Sequence, residues 1–249
     1  MLREERFQFI LDALKLKKQI GYEKMAEALN VSEDTIRRDI ATLQTMGLLS
    51  KVRGGAIPLS RNPLSFQERS AYLTEGKQVI AMKTLPFIKP GATIFLDAGS
   101  TICAIAASIP PDYHCRIITH NLAVVPMLKN HKNIELVILG GRYDAVTETN
   151  TGLTTAKEAA VYLADIFVMG ICAMHPVQGI TASLQTDGEI KQAMLHAARQ
   201  TIAVSNSQKL NGAAYFRVCA PDMIEALITE LPATSNVLDA YRSSGIRLI

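Results

Sequence analysis

Residues 31–56 read VSEDTIRRDIATLQTMGLLSKVRGGA, and the first half of this stretch predicts a well-defined helix. Ser32 is a favourable N-cap residue, and Glu33 and Asp34 place negative charge at the positive end of the helix dipole. Apolar residues then recur at helical spacing, and Gly47 is placed to end the helix. The apolar residues that should face a core are Ile36, Ile40 and Leu43.

The second half of the stretch predicts a strand-turn-strand ribbon. Residues 48–52 and 56–57 are suited to short strands, and the sequence Arg53-Gly54-Gly55 supplies a turn between them. A ribbon that directly follows a helix in this way is typical of a wing.

Two further helical patterns precede these elements. Residues 3–16 and 22–29 each carry apolar side chains on one face, with a break at residues 19–21 between them. The turn at residues 30–32 leads into the third helix. We therefore expect a winged helix-turn-helix domain over residues 1–58. The core residues of its first two helices should be Phe7, Ile10, Leu11, Leu14, Met25, Ala26 and Leu29.

A helix-turn-helix binds DNA through the polar face of its last helix, which enters the major groove. With the apolar residues turned inward, arginine and hydroxyl side chains remain to bind bases and phosphates. Arg53 at the wing tip would reach the adjacent backbone or minor groove, and Gly54 lets the turn pass close to it. The alternative is a solvated helix face, because arginine pairs are common on exposed helices. The predicted DNA-binding residues are Ser32, Glu33, Thr35, Arg37, Arg38, Arg53 and Gly54.

Asp39 follows the two arginines and would be repelled by phosphate if it pointed at DNA. We expect it to hold a neighbouring arginine or lysine in a surface ion pair. Such pairs contribute less than about 1 kcal/mol, so its value would lie in orienting the arginine.

The composition is that of an ordinary globular protein long enough for two domains. The chain has 249 residues, of which 48% are hydrophobic and 20% are charged. The net charge is only +3, and residues 1–58 contribute +2 of it, from ten Lys/Arg against eight Asp/Glu. Because this excess is small, the case for DNA depends on where particular residues lie.

The sequence indicates neither a metal, a cofactor nor a membrane partner. The four cysteines are scattered, without the close pairs of a zinc site, so we expect all four to be buried apolar residues. The five histidines are equally dispersed. There is no run of about 18 apolar residues to span a membrane, and charges interrupt residues 1–18, where a secretory signal would be apolar. We expect a cytoplasmic protein.

From about residue 76 onward the pattern changes to alternating strands and helices. This alternation predicts a doubly wound, mostly parallel α/β domain over residues 76–249, with helices on both faces of the sheet. Residues 59–75 read as a linker that is interrupted by Pro63 and is compatible with a short helix around residues 66–72. The predicted strands cover residues 93–97, 116–119, 134–139, 166–171, 201–205, 226–229 and 247–249, and the predicted helices cover residues 76–88, 101–108, 122–129, 155–163, 189–199 and 236–244.

One turn in this domain has the form of an anion site. The sequence Asp97-Ala98-Gly99-Ser100-Thr101 follows a strand and opens a helix. Its small residues let a ligand approach the backbone, and a helix N-terminus offers unpaired N–H donors to a phosphate. Strand-glycine-helix turns also occur widely in α/β folds for structural reasons alone.

Other polar residues follow three further predicted strands, at residues 119–121, 140–142 and 206–209. Ligands of open parallel sheets bind beyond the carboxyl ends of the strands, so these loops would meet the turn at Asp97. Lys209 would supply positive charge, although each loop could equally be an ordinary connection with a solvated lysine. The predicted ligand-binding residues are Asp97, Gly99, Ser100, Thr101, Thr119, His120, Asn121, Gly140, Gly141 and Lys209.

Residues 31–56 strongly resemble the signature of the DeoR family of bacterial transcriptional regulators. The matching segments include T-I-R-R-D-I at residues 35–40 and R-G-G-A at residues 53–56, and the resemblance extends back to Arg3. It implies that the first domain binds a double-stranded DNA operator.

The C-terminal part is similar to the effector domain of the same family, so the resemblance covers essentially the whole chain. The family's D-x-G-S/T-T turn matches residues 97–101, its T-N-S segment residues 119–121, its G-G pair residues 140–141 and its D-S-S-K segment residues 206–209. That domain looks like sugar-phosphate isomerases of the ribose-5-phosphate isomerase and glucosamine-6-phosphate deaminase type. The resemblance implies a phosphorylated sugar-type effector and a homo-oligomer, dimer or tetramer, that represses carbohydrate metabolism genes until the effector binds.

Three places in the chain depart from the family pattern. Residues 173–175 read Ala-Met-His where the family usually carries G-[IV]-D, Asn206 replaces an aspartate, and His120 replaces an asparagine. Because carboxylates accept hydrogen bonds from sugar hydroxyls, we expect a shifted effector. His175 would either pair with a phosphate or hold a structural position.

Catalysis by a sugar-phosphate isomerase or deaminase is the competing function. Such chemistry needs a positioned general base, often a carboxylate beside a lysine. Residues 173–175 and Asn206 lack that carboxylate, so we expect a regulator and not an enzyme. A C-terminal domain that only oligomerises is a further alternative, against which the intact turn at residues 97–101 argues.

Overall fold

The computed structural model describes residues 3–17, 19–45, 48–52, 54–57, 66–72 and 74–249. Gly47, placed by the sequence at the end of the third helix, and Arg53, placed at the wing tip, lie outside these ranges. Residues 58–65, which include Pro63, lie outside them as well.

The N-terminal part contains the three predicted helices and the predicted ribbon. The hydroxyl of Ser32 accepts the backbone N–H of Thr35 at 3.2 Å, which confirms Ser32 as the N-cap of the third helix. Ile36, Ile40 and Leu43 are fully buried, as predicted. The elements are α1 (Arg3–Lys17), β1 (Ile20–Gly21), α2 (Tyr22–Leu29), α3 (Glu33–Thr45), β2 (Ser50–Val52) and β3 (Gly55–Ile57).

The ribbon has a third strand, β1, where the sequence indicated only a break. β1 pairs antiparallel with β3, which gives the strand order β1-β3-β2. Gly55 lies opposite Gly21, where an added Cβ atom would lie only 1.7 Å from the backbone oxygen of Ile20. The assignment of Gly55 to the turn is therefore wrong. Glycine is needed there because the two strands approach too closely for a side chain.

The C-terminal part alternates helices and strands, and a short helix precedes it within the predicted linker. The helices are α4 (Phe66–Ala71), α5 (Thr74–Thr84), α6 (Ser100–Ser108), α7 (Val125–Leu128), α8 (Leu153–Ala159), α9 (Gln185–His196) and α10 (Asp239–Arg242). The strands are β4 (Thr93–Leu96), β5 (Cys115–Thr119), β6 (Ile134–Ile138), β7 (Arg142–Asp144), β8 (Thr149–Thr151), β9 (Ala164–Gly170), β10 (Ala173–His175), β11 (Gly179–Ala182), β12 (Ala198–Val204), β13 (Phe216–Cys219), β14 (Ala226–Ile228) and β15 (Arg247–Leu248). Short 3-10 turns cover Leu85–Phe87, Leu122–Val124, Ser207–Lys209, Pro221–Met223 and Asn236–Leu238.

The seven predicted strands form one parallel sheet in the order β15-β14-β12-β9-β4-β5-β6. From the inner strand β4 the chain moves to β5 and β6 on one side, and it then returns to β9, β12, β14 and β15 on the other. The strand order therefore reverses between β4 and β9. In open sheets of this kind a ligand binds outside the carboxyl ends of the strands at such a switch point.

Both faces of this sheet are buried, which confirms the doubly wound arrangement. Ile94 and Leu96 of β4 belong to one apolar cluster, together with Ile102 of α6. Phe95, between them, belongs to a second cluster and packs edge-on against Phe167 with ring centroids 6.2 Å apart. Successive residues of the strand thus bury alternate sides, as the pleat of a β-strand requires.

The small antiparallel pairings are absent from the sequence-based prediction. β10, β11 and β13 form a three-stranded sheet, and β7 pairs with β8. These strands have three or four residues, which is too short for a periodicity to stand out. The helix predicted over residues 189–199 is wrong at both ends. It begins at Gln185 and ends at His196, because the chain from Ala198 pairs with β9 as strand β12.

Three of the four cysteines, Cys103, Cys115 and Cys219, are buried as predicted. Cys172 is exposed, so its assignment as a buried residue is wrong. All four are free thiols. Among the helices within the described ranges, none has the length and apolar character needed to cross a membrane.

Candidate DNA interface and switch-point anion site

Helix α3 presents two arginines on the face opposite its core. Arg37 and Arg38 have side chains that are 57% and 79% exposed. Each is paired with an acidic residue one turn earlier, Arg37 with Glu33 at 3.1 Å and Arg38 with Asp34 at 2.8 Å. Exposed pairs of this kind are weak, so a DNA phosphate can replace the carboxylate.

The other predicted DNA-binding residues lie at the start of α3 and in the wing turn. Ser32 is exposed, and its hydroxyl lies 2.9 Å from that of Thr35. Gly54 has a φ of +85°, a conformation that favours glycine, and its carbonyl accepts the N–H of Tyr22. Arg53 is outside the described residues. Hydroxyl and guanidinium groups therefore share the outer side of one helix.

Asp39 is buried and joins α3 to α1. Its carboxylate accepts hydrogen bonds from Arg6, at 2.7 Å from Nε and 3.2 Å from Nη2, and Arg3 Nε lies 3.8 Å away. The hydrogen bond to Asp39 raises the pKa of Arg6. The expectation that Asp39 pairs with an arginine is confirmed, but the expectation of a surface pair is wrong. The pair fixes the orientation of α3 from inside the domain.

Arg38→Ala is expected to weaken DNA binding by about 5- to 100-fold without changing the unfolding temperature. The side chain is mostly exposed and its ion-pair partner, Asp34, is exposed too, so the fold loses little. Fluorescence anisotropy with a duplex selected from random sequences by the wild-type protein measures the effect. The matched control is Arg199→Ala, because Arg199 is 82% exposed and also pairs with an aspartate, Asp165. Equal affinities of both variants would show that this face of α3 does not contact DNA.

A buried carboxylate stands at the switch point of the main sheet. Asp97 directly follows β4, and its Oδ2 accepts hydrogen bonds from Lys191 Nζ at 2.5 Å and from the backbone N–H of Gly170 at 2.8 Å. Lys191 also lies 3.1 Å from Asp187. Burial raises the pKa of Asp97, but Lys191 and His120 outweigh it and hold the pKa below its usual value. Burial lowers the pKa of Lys191, but the two aspartates outweigh it and the pKa is raised overall.

The segment that follows β5 lies beside Asp97. Thr119 Oγ1 donates to the carbonyl of Leu96 at 2.6 Å, and Asn121 Nδ2 donates to the carbonyl of Asp97 at 3.3 Å. His120 Nε2 lies 3.4 Å from Asp97 Oδ1. The structure therefore brings these residues together with Asp97, as the sequence predicts. Their side chains are buried and bonded to other protein groups, so they form the floor of the site.

The N-terminus of α6 opens next to Asp97. Its N-cap residue is Gly99, whose φ of +107° favours glycine and which supplies no capping side chain. Ser100 is half-buried, and Thr101 is buried. The first-turn N–H groups of such a helix are suited to an anion.

Basic residues from distant parts of the chain converge on the same end of the sheet. Lys77 of α5 is buried, and its ammonium donates to the carbonyl oxygens of Arg69 and Tyr72 at the end of α4. Lys209, which follows β12, donates to the carbonyl of Ile171 at 2.8 Å. Burial lowers the pKa of both lysines, and the charge of Arg69 lowers each further. The three cations are thus close enough to repel one another.

Two buried polar atoms of this region have no hydrogen-bond partner in the described part of the chain. They are Nε of Arg69, a donor, and Oδ1 of Asn206, an acceptor. A buried polar group without a partner costs about 1–3 kcal/mol. Both atoms are therefore suited to a polar ligand.

Gly140 and Gly141 pack against α8. The N–H of Gly140 donates to Glu158 at 2.7 Å, and its carbonyl accepts the hydroxyl of Thr155 at 2.7 Å. A Cβ atom on Gly141 would lie 2.1 Å from Thr155 Oγ1. These contacts explain the glycine pair by close packing, and they do not place it against Asp97.

Two of the positions that depart from the family pattern, Ala173 and His175, lie in the hairpin of β10 and β11. Nδ1 of His175 accepts the backbone N–H groups of Val177 and Gln178 at 3.2 and 3.4 Å. These bonds favour the structural alternative for His175. Within the described ranges, His, Cys, Asp and Glu side chains form no group of three or more that would hold a metal.

The residues predicted from the sequence do not include four charged residues of the candidate switch-point site, Arg69, Lys77, Asp187 and Lys191. A signal for the two lysines exists, because each lies on the buried face of its helix. Lysine is almost never buried unless it is paired or bonded to other polar groups. A lysine at an apolar position of a predicted helix is therefore a candidate site residue.

The fold and the site together define a class of protein, the two-domain transcriptional regulators in which a winged helix-turn-helix is followed by a sensor domain. Residues 6–62 match the DeoR-like helix-turn-helix domain, and residues 73–231 match the DeoR C terminal sensor domain. The chain belongs to the DeoR family. It is a DNA-binding transcriptional regulator and not an enzyme.

Several curated relatives match nearly the full length of the chain. The HTH-type transcriptional repressor GlcR of Bacillus subtilis is 28% identical and covers 100% of this chain and 96% of its own. The lactose phosphotransferase system repressor of Lactococcus lactis is 31% identical over 85% of this chain and 84% of its own. The glycerol-3-phosphate regulon repressor of Escherichia coli is 26% identical over 100% of this chain and 99% of its own. Among solved structures, ribose 5-phosphate isomerase A from Neisseria gonorrhoeae is similar at 14% identity over 54% of this chain and 53% of its own, with a TM-score of 0.38.

Proposed function

We propose that the protein is a cytoplasmic repressor of carbohydrate metabolism genes, and that its sensor domain binds a phosphorylated sugar or related metabolite at the switch point. The observation that carries the proposal is the buried Nε of Arg69, unpartnered among the described residues, beside the charges of Lys77 and Lys209. The names of two relatives refer to glycerol 3-phosphate and to a lactose phosphotransferase system, which supports the same class of ligand.

The charge of the site suits a phosphate monoester. The cluster holds four basic side chains and the carboxylates of Asp97 and Asp187, so two positive charges are left over among these groups. A phosphate monoester carries about −1.5 to −2 charges at pH 7. It would neutralise this excess and supply an acceptor to Arg69, whose planar guanidinium suits phosphate oxygens.

We assign the contacts of such a ligand as follows. The phosphate would lie at the N-terminus of α6, near the N–H groups and hydroxyls of Ser100 and Thr101, and within reach of Arg69 and Lys209. Oδ1 of Asn206 would accept a hydrogen bond from a sugar hydroxyl. The floor beneath the ligand would consist of Asp97, Gly99, Thr119, His120 and Asn121.

The connection between the two domains takes part in this site. We propose domains over residues 1–58 and 76–249, joined by residues 59–75, which contain Arg69. Tyr72, also in the connection, donates its hydroxyl to Gln208 Oε1 at 3.2 Å. A ligand that engages Arg69 would therefore act on the segment that leads to the DNA-binding domain. In a dimer or tetramer whose DNA-binding domains can adopt two arrangements, the ligand would favour the arrangement that it binds more tightly. The difference between its two affinities sets how far the DNA affinity changes.

A thermal-shift experiment on the full chain tests the proposed ligand class. Phosphorylated sugars and polyols at about 100 times their Kd would stabilise the folded protein by about 2.7 kcal/mol. For a domain of this size the midpoint would rise by about 5–10 °C. The same sugars without phosphate should give no shift.

The variant Lys209→Met identifies the site, because it keeps an aliphatic side chain and removes the charge. It is expected to lose most of the shift. Lys89→Met is the matched control, since Lys89 is exposed and precedes the amino end of β4, at the opposite end of the sheet. The proposal fails if no phosphorylated compound stabilises the wild type, or if the shift survives unchanged in Lys209→Met.

A further inference from the structure

The outer face of α5 carries exposed apolar side chains between polar ones. Its inner face buries Ile80 and Ala81 in the core of the sensor domain. On the other side Val79 and Met82, one turn apart, are 42% and 57% exposed. A surface helix normally carries polar residues on its outer face. This face therefore lacks a partner in the described part of the chain.

Opposite charges are placed symmetrically about Val79. Glu75 lies four residues before it and Lys83 four residues after it, so the three form one ridge of the i±4 type along the helix. The two charges are separated by about 12 Å along the axis. Glu75 is exposed, whereas the ammonium of Lys83 is held by the carbonyl oxygens of Thr229 and Leu231 at 2.9 and 2.6 Å.

We propose that α5 packs against α5 of a second copy of this chain, on a twofold axis that passes by Val79. The axis reverses the direction of the second helix, so Glu75 of each copy meets Lys83 of the other. The i±4 ridges of the two helices interlock with about 50° between their axes, the commonest class of helix packing. The two Val79 side chains then meet at the axis, with Met82 beside them. The surface is complementary to itself in both charge and apolar character.

This interface would connect ligand binding to the spacing of the DNA-binding domains, a point that rests on the proposed function. Lys77 reaches the ligand site from the inner face of the same three-turn helix. The outer face would meet the partner. Because α5 follows closely on the connection to the first domain, a twofold axis here relates two DNA-binding domains by the symmetry that palindromic half-sites require.

Sedimentation equilibrium of the full chain at micromolar concentration tests this surface. The wild type is expected to form a dimer or a tetramer. Val79→Asp places two like charges at the axis and is expected to weaken association at least about tenfold. Val237→Asp, at a valine that is 44% exposed and precedes α10, is the matched control and should associate like the wild type.

A second variant makes the result independent of any folding defect. Val79→Cys places two thiols at the axis, and mild oxidation should give a disulfide-linked dimer on a non-reducing gel. Val237→Cys should give none above the wild type, whose exposed Cys172 supplies the background. A monomeric wild type would overturn both the proposed oligomer and this surface. An oligomer that Val79→Asp leaves intact and Val79→Cys does not crosslink would overturn the surface alone.

Discussion

Replacing Asp97 with alanine is expected to lower the free energy of unfolding of the sensor domain by about 3–5 kcal/mol. The change removes one of the two carboxylates that pair with Lys191, a side chain that is itself buried. It also removes the acceptor of the Gly170 N–H. A buried charge that loses one of its partners keeps its full desolvation cost, which is why the loss is large. Urea unfolding followed by circular dichroism measures it.

The matched control is Glu135→Ala, which breaks an exposed ion pair with Arg116 and should change stability little. The double variant Asp97→Ala/Lys191→Met should recover part of the lost stability, because it also removes the buried ammonium, which in Asp97→Ala keeps only Asp187 as a partner. Equal stabilities of Asp97→Ala and Glu135→Ala would show that the switch-point cluster contributes no more than a surface pair.

The same cluster gives stability a defined dependence on pH. The pKa of Asp97 is lower in the folded than in the unfolded chain, so its contribution is complete above about pH 4 and is lost as the pH falls through the folded value. The pKa of Lys191 is raised, so its contribution is complete below about pH 10 and is lost as the pH rises through the folded value. The stability difference between the wild type and Asp97→Ala should therefore be largest between these limits and should shrink in acid.

Gly55→Ala is expected to weaken DNA binding strongly while the sensor domain stays folded. The new methyl group would lie 1.7 Å from the backbone oxygen of Ile20, whereas real Cβ atoms stay at least 3.0 Å from such neighbours. β1 and β3 must therefore separate, at a cost of about 1–3 kcal/mol or more. A domain of fewer than about 70 residues seldom has more than about 3–5 kcal/mol of stability, so this cost removes much of the stability of the domain.

Anisotropy with the selected duplex, combined with limited proteolysis of residues 1–58, measures this effect. Gly21→Ala is the matched control in the same sheet. A Cβ atom there meets only the Gly54 oxygen, at an ordinary 3.7 Å, so DNA binding should persist. Normal DNA binding by Gly55→Ala would mean that β1 does not pair with β3 in solution.

Elements with a long apolar pattern could be predicted from the sequence. The helices of the first domain were identifiable because their buried residues recur at helical spacing, and the seven parallel strands because short apolar runs alternate with helical patterns. The pairings of β1, β10 and β13 could not be predicted, because strands of two to four residues show no clear period and their partners are set by the tertiary fold. Gly55 illustrates the difference: in the sequence it looks like a turn residue, and only the neighbouring strand explains it.

Some residues of the candidate site could likewise be predicted from the sequence, and others could not. Asp97 and His120 were identifiable because they follow strands directly, where the fold class predicts a ligand. Lys191 bonds to Asp97 across 94 residues of sequence, and Arg69 lies in a segment that reads as a linker. Their proximity follows from the packing of helices against the sheet, which no local pattern encodes. Whether these residues bind a ligand stays a prediction.

The hydrogen bond between the Asp97 carboxylate and the N–H of Gly170 joins the end of β4 to the end of β9, the two strands between which the strand order reverses. Beyond β4 the sheet continues with β5 and β6, and beyond β9 it continues with β12, β14 and β15. A molecule that binds over Asp97 would therefore lie against the ends of two strands that lead to opposite edges of the sheet.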